Sequence, residues 1–320
     1  MKRIFIPDTE LSLSTIGLGT VGAGLDWDHE DANRLFDTYL DHGGNVIDSA
    51  RVYSDWVRPE IGRSERVIGD WLEKSKRRNE VILITKGGHP DMLAEPLDMH
   101  KNRLARHQMV YDIEQSLKTL RTDVIDIYFY HRDELSLPVS ELIETMEMFR
   151  KEGKIRYYGC SNWTTARMKE ADEYCRQQNY RGFVANQALL NIGLKHMNPL
   201  ADDTLVSFDD EMQEYHKENS RNLAIPYMSA CSGFFHLYLT AGPDSVKNNP
   251  YNTPKNRLIA ESLRALRMKY NASITQVVLG FFAIQDFDCL PLYGPLNEEQ
   301  IIDALKTMDI NFTRDDYKFC

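Results

Sequence analysis

The chain has 320 residues, 38 of them lysine or arginine and 48 aspartate or glutamate, for a net charge of −10; 42% are apolar and 27% charged. This globular composition excludes a mainly disordered chain. The acidic balance excludes a nucleic-acid partner gripped by general electrostatics, which needs clustered lysine and arginine.

Residues 3–6 and 10–12, around Pro7-Asp8-Thr9, read as a β-hairpin ahead of the main fold. The first strand-like run after it is 15–18. A helix from about 30 puts Leu35, Phe36, Tyr39 and Leu40 on one face and stops at Gly43 and Gly44, because glycine takes the left-handed conformation of a helix C-terminus. A strand at 45–47 follows, then a helix capped by Ser64 with Val67, Ile68, Trp71 and Leu72 as its apolar stripe. The third strand is 81–84, and Met109, Val110, Ile113, Leu117 and Leu120 recur at helical spacing behind it. The fourth is 124–130, before a helix burying Leu142, Ile143, Met146 and Phe149 that ends near Gly153. Strand 155–159, a helix through Met168, Ala171 and Tyr174, strand 183–186 and a polar helix over 209–219 come next. Strand 224–227, two helical segments within 257–284, strand 290–293 and a helix opened by Asn297 complete the chain.

Eight strand–helix units in one run predict a parallel sheet. At this length they fit a closed (β/α)8 TIM barrel, here with an N-terminal β-hairpin, as one domain over 1–320. The longest irregular stretches are 90–104 and 237–255. No secretory or membrane segment is expected: Asp8 and Glu10 interrupt the apolar start, and the run 277–284 is less than half a membrane span. Five scattered cysteines (Cys160, Cys175, Cys231, Cys289, Cys320) form no C-x-x-C pair. That supports neither a zinc site nor a disulfide framework and fits a reduced, cytoplasmic setting.

Barrel interiors are packed, so chemistry belongs to groups just past the strand C-termini. Those groups are Asp48 and then Tyr53, Lys86, His131, the trio Ser161, Asn162 and Trp163, and Gln187. A phenol is a weak acid at neutral pH, and a nearby ammonium lowers its pKa. Lys86 can supply that ammonium and Asp48 its counter-charge, while His131 can orient a carbonyl or relay a proton. Together they form an acid for a developing alkoxide, which is half of a carbonyl reduction. The hydride must come from a cofactor, since no side chain donates one; no metal is needed. Ser161, Asn162 and Gln187 suit a nicotinamide carboxamide, and Tyr227 can stack on the ring. Trp56, His89 and Trp163 are candidate walls of the substrate pocket.

These residues carry a resemblance. Gly44-Asn45-Val46-Ile47-Asp48-Ser49-Ala50 with Tyr53, Gly62-Arg63-Ser64-Glu65, Ile68-Gly69, Thr85-Lys86, Asp126-Ile127-Tyr128 leading to His131, and Gly159-Cys160-Ser161-Asn162 resemble, in order, the motifs of the aldo-keto reductase family. The resemblance covers nearly the whole chain. It implies an NAD(P)H-dependent oxidoreductase acting on a small carbonyl or alcohol substrate, with the catalytic tetrad on Asp48, Tyr53, Lys86 and His131. Two stretches depart from the pattern. Tyr227-Met228-Ser229-Ala230 stands where the family has tyrosine-serine-proline-leucine. The junction 291–300, with Gly294, Asn297 and Gln300 expected to meet cofactor phosphates, has no cation and two glutamates. Many relatives place lysine or arginine there for the 2′-phosphate of NADPH, so both NADP(H) and NAD(H) stay open.

Other readings compete. Some relatives are binding or regulatory subunits with little turnover, and an intact tetrad is compatible with that. A Schiff-base lysine at Lys86 would make a barrel aldolase, but leaves Tyr53, Asn162 and Gln187 without work. Gly17-Leu18-Gly19-Thr20-Val21-Gly22 satisfies G-x-G-x-x-G, yet residues 23–29 intervene before any helix, unlike a dinucleotide fingerprint. It reads as rim-loop geometry.

Overall fold

The computed structural model describes residues 2–320. The chain opens with a hairpin, β1 (Arg3–Phe5) antiparallel to β2 (Ser12–Ser14). Its return arm starts later than the sequence suggested, because Thr9 Oγ1 donates to the Ile6 carbonyl and accepts from Leu11 N–H, extending the turn. There follow β3 (Gly17–Gly19), α1 (His29–Asp41), β4 (Val46–Asp48), α2 (Arg63–Ser75), β5 (Ile82–Gly87), α3 (Arg106–Leu120), β6 (Ile125–Tyr130) and α4 (Val139–Lys151). Then come β7 (Ile155–Ser161), α5 (Thr165–Gln178), β8 (Ala185–Gln187), α6 (Asp210–Glu218) and β9 (Leu223–Ala224). The last part is α7 (Phe234–Ala241), α8 (Pro254–Tyr270), α9 (Ile274–Ala283), β10 (Leu292–Tyr293) and α10 (Glu298–Leu305).

Among the described residues, β3 to β10 form one parallel sheet in the order β10-β3-β4-β5-β6-β7-β8-β9. Leu290 N–H donates to Ala224 O (2.9 Å) and Leu292 N–H to Pro226 O (3.0 Å), which joins the β9 edge to the segment entering β10. The result is the expected (β/α)8 barrel. Strand alternation sorts its side chains: Ile84, Ile127 and Phe129 face an inner cluster, whereas Leu83, Tyr128 and Tyr130 pack outward under the helices. Ile6, Leu11 and Leu13 of the hairpin segment join the inner cluster and plug its N-terminal end.

Two expectations need correction. Ser64 does not cap α2. The helix starts at Arg63 after a left-handed Gly62, and the buried Ser64 hydroxyl lies 2.8 Å from both Thr20 Oγ1 and Ser49 Oγ, tying the helix to the ends of β3 and β4. The stretch 237–255 is partly helical, since α7 runs into it and a 3-10 turn spans Pro243–Val246. The long connection is 188–209, where Leu189 N–H donates to Val206 O and Phe208 N–H to Leu189 O. Among the described residues no helix is long and apolar enough to cross a membrane.

Helices α2 and α3 touch at Gly69, where an added Cβ would lie 2.2 Å from the Thr119 carbonyl oxygen, a backbone atom that cannot swing away. Gly69→Ala is therefore expected to destabilise the fold by about 1–3 kcal/mol through overpacking, against the gain that alanine gives in an unobstructed helix. Urea unfolding measures the sign. Glu65 is fully buried on the outer side of β5, accepting from Thr85 Oγ1 at 2.7 Å, and burial pushes its carboxyl up from 4.5 to about 6. The folded chain thus holds this proton more tightly than the unfolded one. Its contribution, about 2 kcal/mol, is complete below pH 4.5 and lost as pH rises through about 6. Stability measured across that window is expected to fall less steeply in Glu65→Gln.

Candidate active site

Asp48 ends β4, Lys86 lies near the end of β5, and His131 follows β6, so three neighbouring strands deliver side chains to the same mouth of the barrel. Tyr53 arrives from the turn after β4, where its N–H donates to Ala50 O. The Lys86 ammonium is 1% exposed and donates to Asp48 Oδ1 (2.7 Å) and Oδ2 (2.5 Å), to Ser49 O (2.8 Å) and to Tyr53 Oη (2.9 Å). Gln187 Nε2 adds a hydrogen bond to Asp48 Oδ1 at 3.1 Å. The His131 ring stands edge-on to Tyr53, with centroids 5.7 Å apart.

Burial drives the Lys86 ammonium below its ordinary range and the Asp48 carboxyl above its own; their mutual contact opposes both shifts. Burial also lifts the Tyr53 phenol well above 10, and the Asp48 charge adds to it. This differs from the lowering expected from an adjacent ammonium. Desolvation dominates and only Arg132 works against it, so Tyr53 rests fully protonated. His131 is pushed well below 6.5 by burial, then by His89, Arg132 and Lys86, and stays neutral. A lysine held by a carboxylate, a carbonyl and a phenol is also poorly placed for a Schiff base, which requires a free amine.

The trio after β7 is engaged inside the protein. Asn162, in the left-handed conformation at φ 59°, donates from Nδ2 to His131 O (3.2 Å) and Ser161 Oγ (3.1 Å). Its Oδ1 accepts from Tyr227 Oη (2.6 Å) and Val206 N–H (3.0 Å). Asn162 N–H donates to Gln187 O (2.9 Å), which joins Ser161, Asn162 and Tyr227 to Gln187 and so to Asp48. Trp163 is no pocket wall. It is fully buried, stacks on Tyr130 at 6.0 Å, meets Phe183 edge-on and donates from Nε1 to Arg132 O. Its size and loop position suggested a mouth residue, but α5 begins at once after it and folds it under the helix layer.

A cleft of about 620 Å³ leads away from Asp48 and Tyr53, within the size range of sites for ligands of cofactor size. Gly19, Val21, Gly22 and Trp56 line it near the rim glycines, and Tyr227, Tyr293, Gly294 and Gln300 further along. Asn297 caps α10, its Oδ1 accepting from Gln300 N–H at 3.0 Å. Glu298 is turned away to Arg34 (3.0 Å) and Thr38 (3.2 Å) of α1. The lining includes Asp26 and His236 but no lysine or arginine. His89 sits beside the tetrad, its ring 4.7 Å from that of His131.

Several contributors were missed in the sequence. Arg132, 5% exposed, donates to Asp202 Oδ2 (2.9 Å), Thr204 Oγ1 (3.0 Å) and His131 O (3.0 Å), bracing the loop 188–209 behind the site. Trp27 Nε1 donates to Pro295 O, joining the glycine loop to the entrance of α10. Met228, Cys231, Ser232 and Gly233 are left-handed, and Met228, Ser232 and Gly233 line the cleft while Cys231 is buried behind them. Left-handed Met and Cys carry no sequence signal. Among the described residues no cluster that could hold a metal ion is present.

The family model for the aldo/keto reductase family matches residues 15–320. An uncharacterized oxidoreductase of Bacillus subtilis, YrpG, is 27% identical over 98% of this chain and 93% of its own. An aryl-alcohol dehydrogenase of Pestalotiopsis microspora is 24% identical over 98% of this chain and 79% of its own. An aryl-alcohol dehydrogenase [NADP(+)] of Phanerodontia chrysosporium is 28% identical over 61% of this chain and 52% of its own.

Removing one partner of a buried ion pair strands the other charge. Lys86→Met is expected to lower stability by about 3–5 kcal/mol, and adding Asp48→Asn to recover most of that loss. Denaturant unfolding of both variants checks it; equal stability of the single and double variants would contradict it.

Proposed function

The chain belongs to the aldo/keto reductase family of NAD(P)H-dependent oxidoreductases, and from that premise we propose that it reduces a small aldehyde or ketone, or oxidises the corresponding alcohol, with Tyr53 as the general acid. The observation that carries this reading is the Lys86 ammonium 2.9 Å from Tyr53 Oη with Asp48 behind it. When bound, the nicotinamide dinucleotide supplies the hydride. Every other role falls to the chain. Tyr53, protonated at rest, gives its proton to the carbonyl oxygen as charge develops there. Lys86 stabilises the phenolate left behind through the contact already in place, and preorganised charge of this kind needs no reorganisation at the moment of reaction. Asp48 keeps Lys86 charged and aimed. His131, neutral, donates to the same carbonyl oxygen and fixes its direction.

Tyr227, Gly294 and Gln300, along the cleft, would hold the dinucleotide, with the N-terminus of α10 facing its phosphates. The lining carries Asp26 but no guanidinium or ammonium to reward the extra phosphate of NADPH, so both NADH and NADPH stay open. Ser161, Asn162 and Gln187 would meet the carboxamide after exchanging some of their internal hydrogen bonds.

Tyr53→Phe removes the proton donor and keeps the ring. Its kcat with an aldehyde panel is expected to fall by about 10²–10⁴-fold, the usual share of general acid catalysis. Binding of NADH or NADPH, read by tryptophan fluorescence, reports separately on the folded cofactor cleft. A variant as fast as the parent would end the assignment.

A further inference from the structure

His89 follows the left-handed Gly88 (φ 81°), which turns the chain immediately after β5 and brings the imidazole against His131. His89 is 6% exposed, and its Nδ1 lies 3.0 Å from the Pro90 carbonyl oxygen. A carbonyl only accepts, so Nδ1 carries the hydrogen. Burial brings His89 down to about 4, so the ring is neutral and Nε2 is a bare acceptor. The His131 tautomer runs the other way. Its Nδ1 is buried without a partner among the described residues, and an orphaned lone pair costs less than an orphaned N–H. The hydrogen is therefore on Nε2. Two neutral imidazoles, 4.7 Å apart between centroids, thus offer one donor and one acceptor side by side next to Tyr53.

A bare aldehyde uses the donor alone and leaves the His89 acceptor unsatisfied. Oxygens on adjacent carbons use both, the carbonyl oxygen accepting from His131 and the neighbouring hydroxyl donating to His89. We infer that His89 is a specificity residue and that the site takes α-hydroxy carbonyl compounds, the chemistry of sugars and hydroxyketones, converting them to vicinal diols. This rests on the reductase reading above, and adds a recognition contact without a new chemical step. Trp56, 48% exposed on the cleft beside Tyr53, offers an apolar face to either substrate class and does not discriminate.

The test uses the full-length protein with saturating NADH or NADPH and compares kcat/KM for glyceraldehyde against propanal, and for hydroxyacetone against acetone. Substrate hydration cancels when each ratio is compared between wild type and variant. The hydroxy-to-deoxy ratio is expected to drop by about tenfold or more in His89→Leu. It is expected to recover in part in His89→Gln, whose amide oxygen accepts. Ratios equal in all three proteins would overturn the inference. A second measurement needs no variant: 1,2-propanediol should inhibit the wild type about tenfold more tightly than 1-propanol, and equal inhibition also overturns it. If propanal is reduced and Tyr53→Phe abolishes that, the reductase reading stands whatever His89 does. A wild type inert toward every carbonyl removes both.

Discussion

An ammonium cannot sit dry in a barrel without something to hold its charge, and the upper end of this molecule is organised around that constraint. Lys86 sits on an inward position of β5, where an aliphatic side chain would otherwise continue the packing of Ile84. Its charge is met from β4 by Asp48, from the chain just beyond by the Ser49 carbonyl, and from the following turn by Tyr53. Each partner is then held in turn. Gln187 bonds Asp48, Ser49 bonds Ser64 at the start of α2, and Thr20 Oγ1 donates to the Asp48 carbonyl. The polar network thus runs from β3 to β8 with few loose ends, which rigidifies it.

Much of this was legible beforehand because barrel architecture sorts residues by type. Apolar runs must fill the interior, so a lysine, an aspartate or a histidine closing such a run marks the mouth. The strand–helix alternation and the convergence of Asp48, Tyr53, Lys86 and His131 follow from that logic. Where the reading failed, local sequence competed with tertiary packing. Ser64 looked like a helix cap because serine caps helices, but the neighbouring Thr20 and Ser49 hydroxyls claimed it. Trp163 looked like a pocket wall because it follows a strand, but it was drawn under α5. The sign of the Tyr53 shift was misjudged because burial depth, which dominates it, is not written in the spacing of residues. The left-handed run near Met228 and the bracing of Arg132 by Asp202 and Thr204 depend on long loops whose paths only the folded chain fixes.

The two glutamates at the start of α10 illustrate how a correct composition can mislead about a field. On the sequence they oppose any phosphate at that helix terminus. In the fold, Glu298 is taken by Arg34 and Thr38, so its charge is spent on joining the first and last barrel helices. What remains along the cleft is a wall without lysine or arginine whose carboxylates are Asp26 and, at the tetrad, Asp48.

The apolar plug formed by Ile6, Leu11 and Leu13 has a bearing on traffic. With the lower end filled by hydrocarbon, the partners of Lys86 that meet open space, Asp48 and Tyr53, do so at the upper cleft. On the reductase reading proposed above, a hydrogen ion returning to the Tyr53 phenol would come through the upper opening, past whatever molecule occupies it. On that reading, recharging of the acid and departure of the product would share a single doorway, with the little hairpin as a one-sided seal.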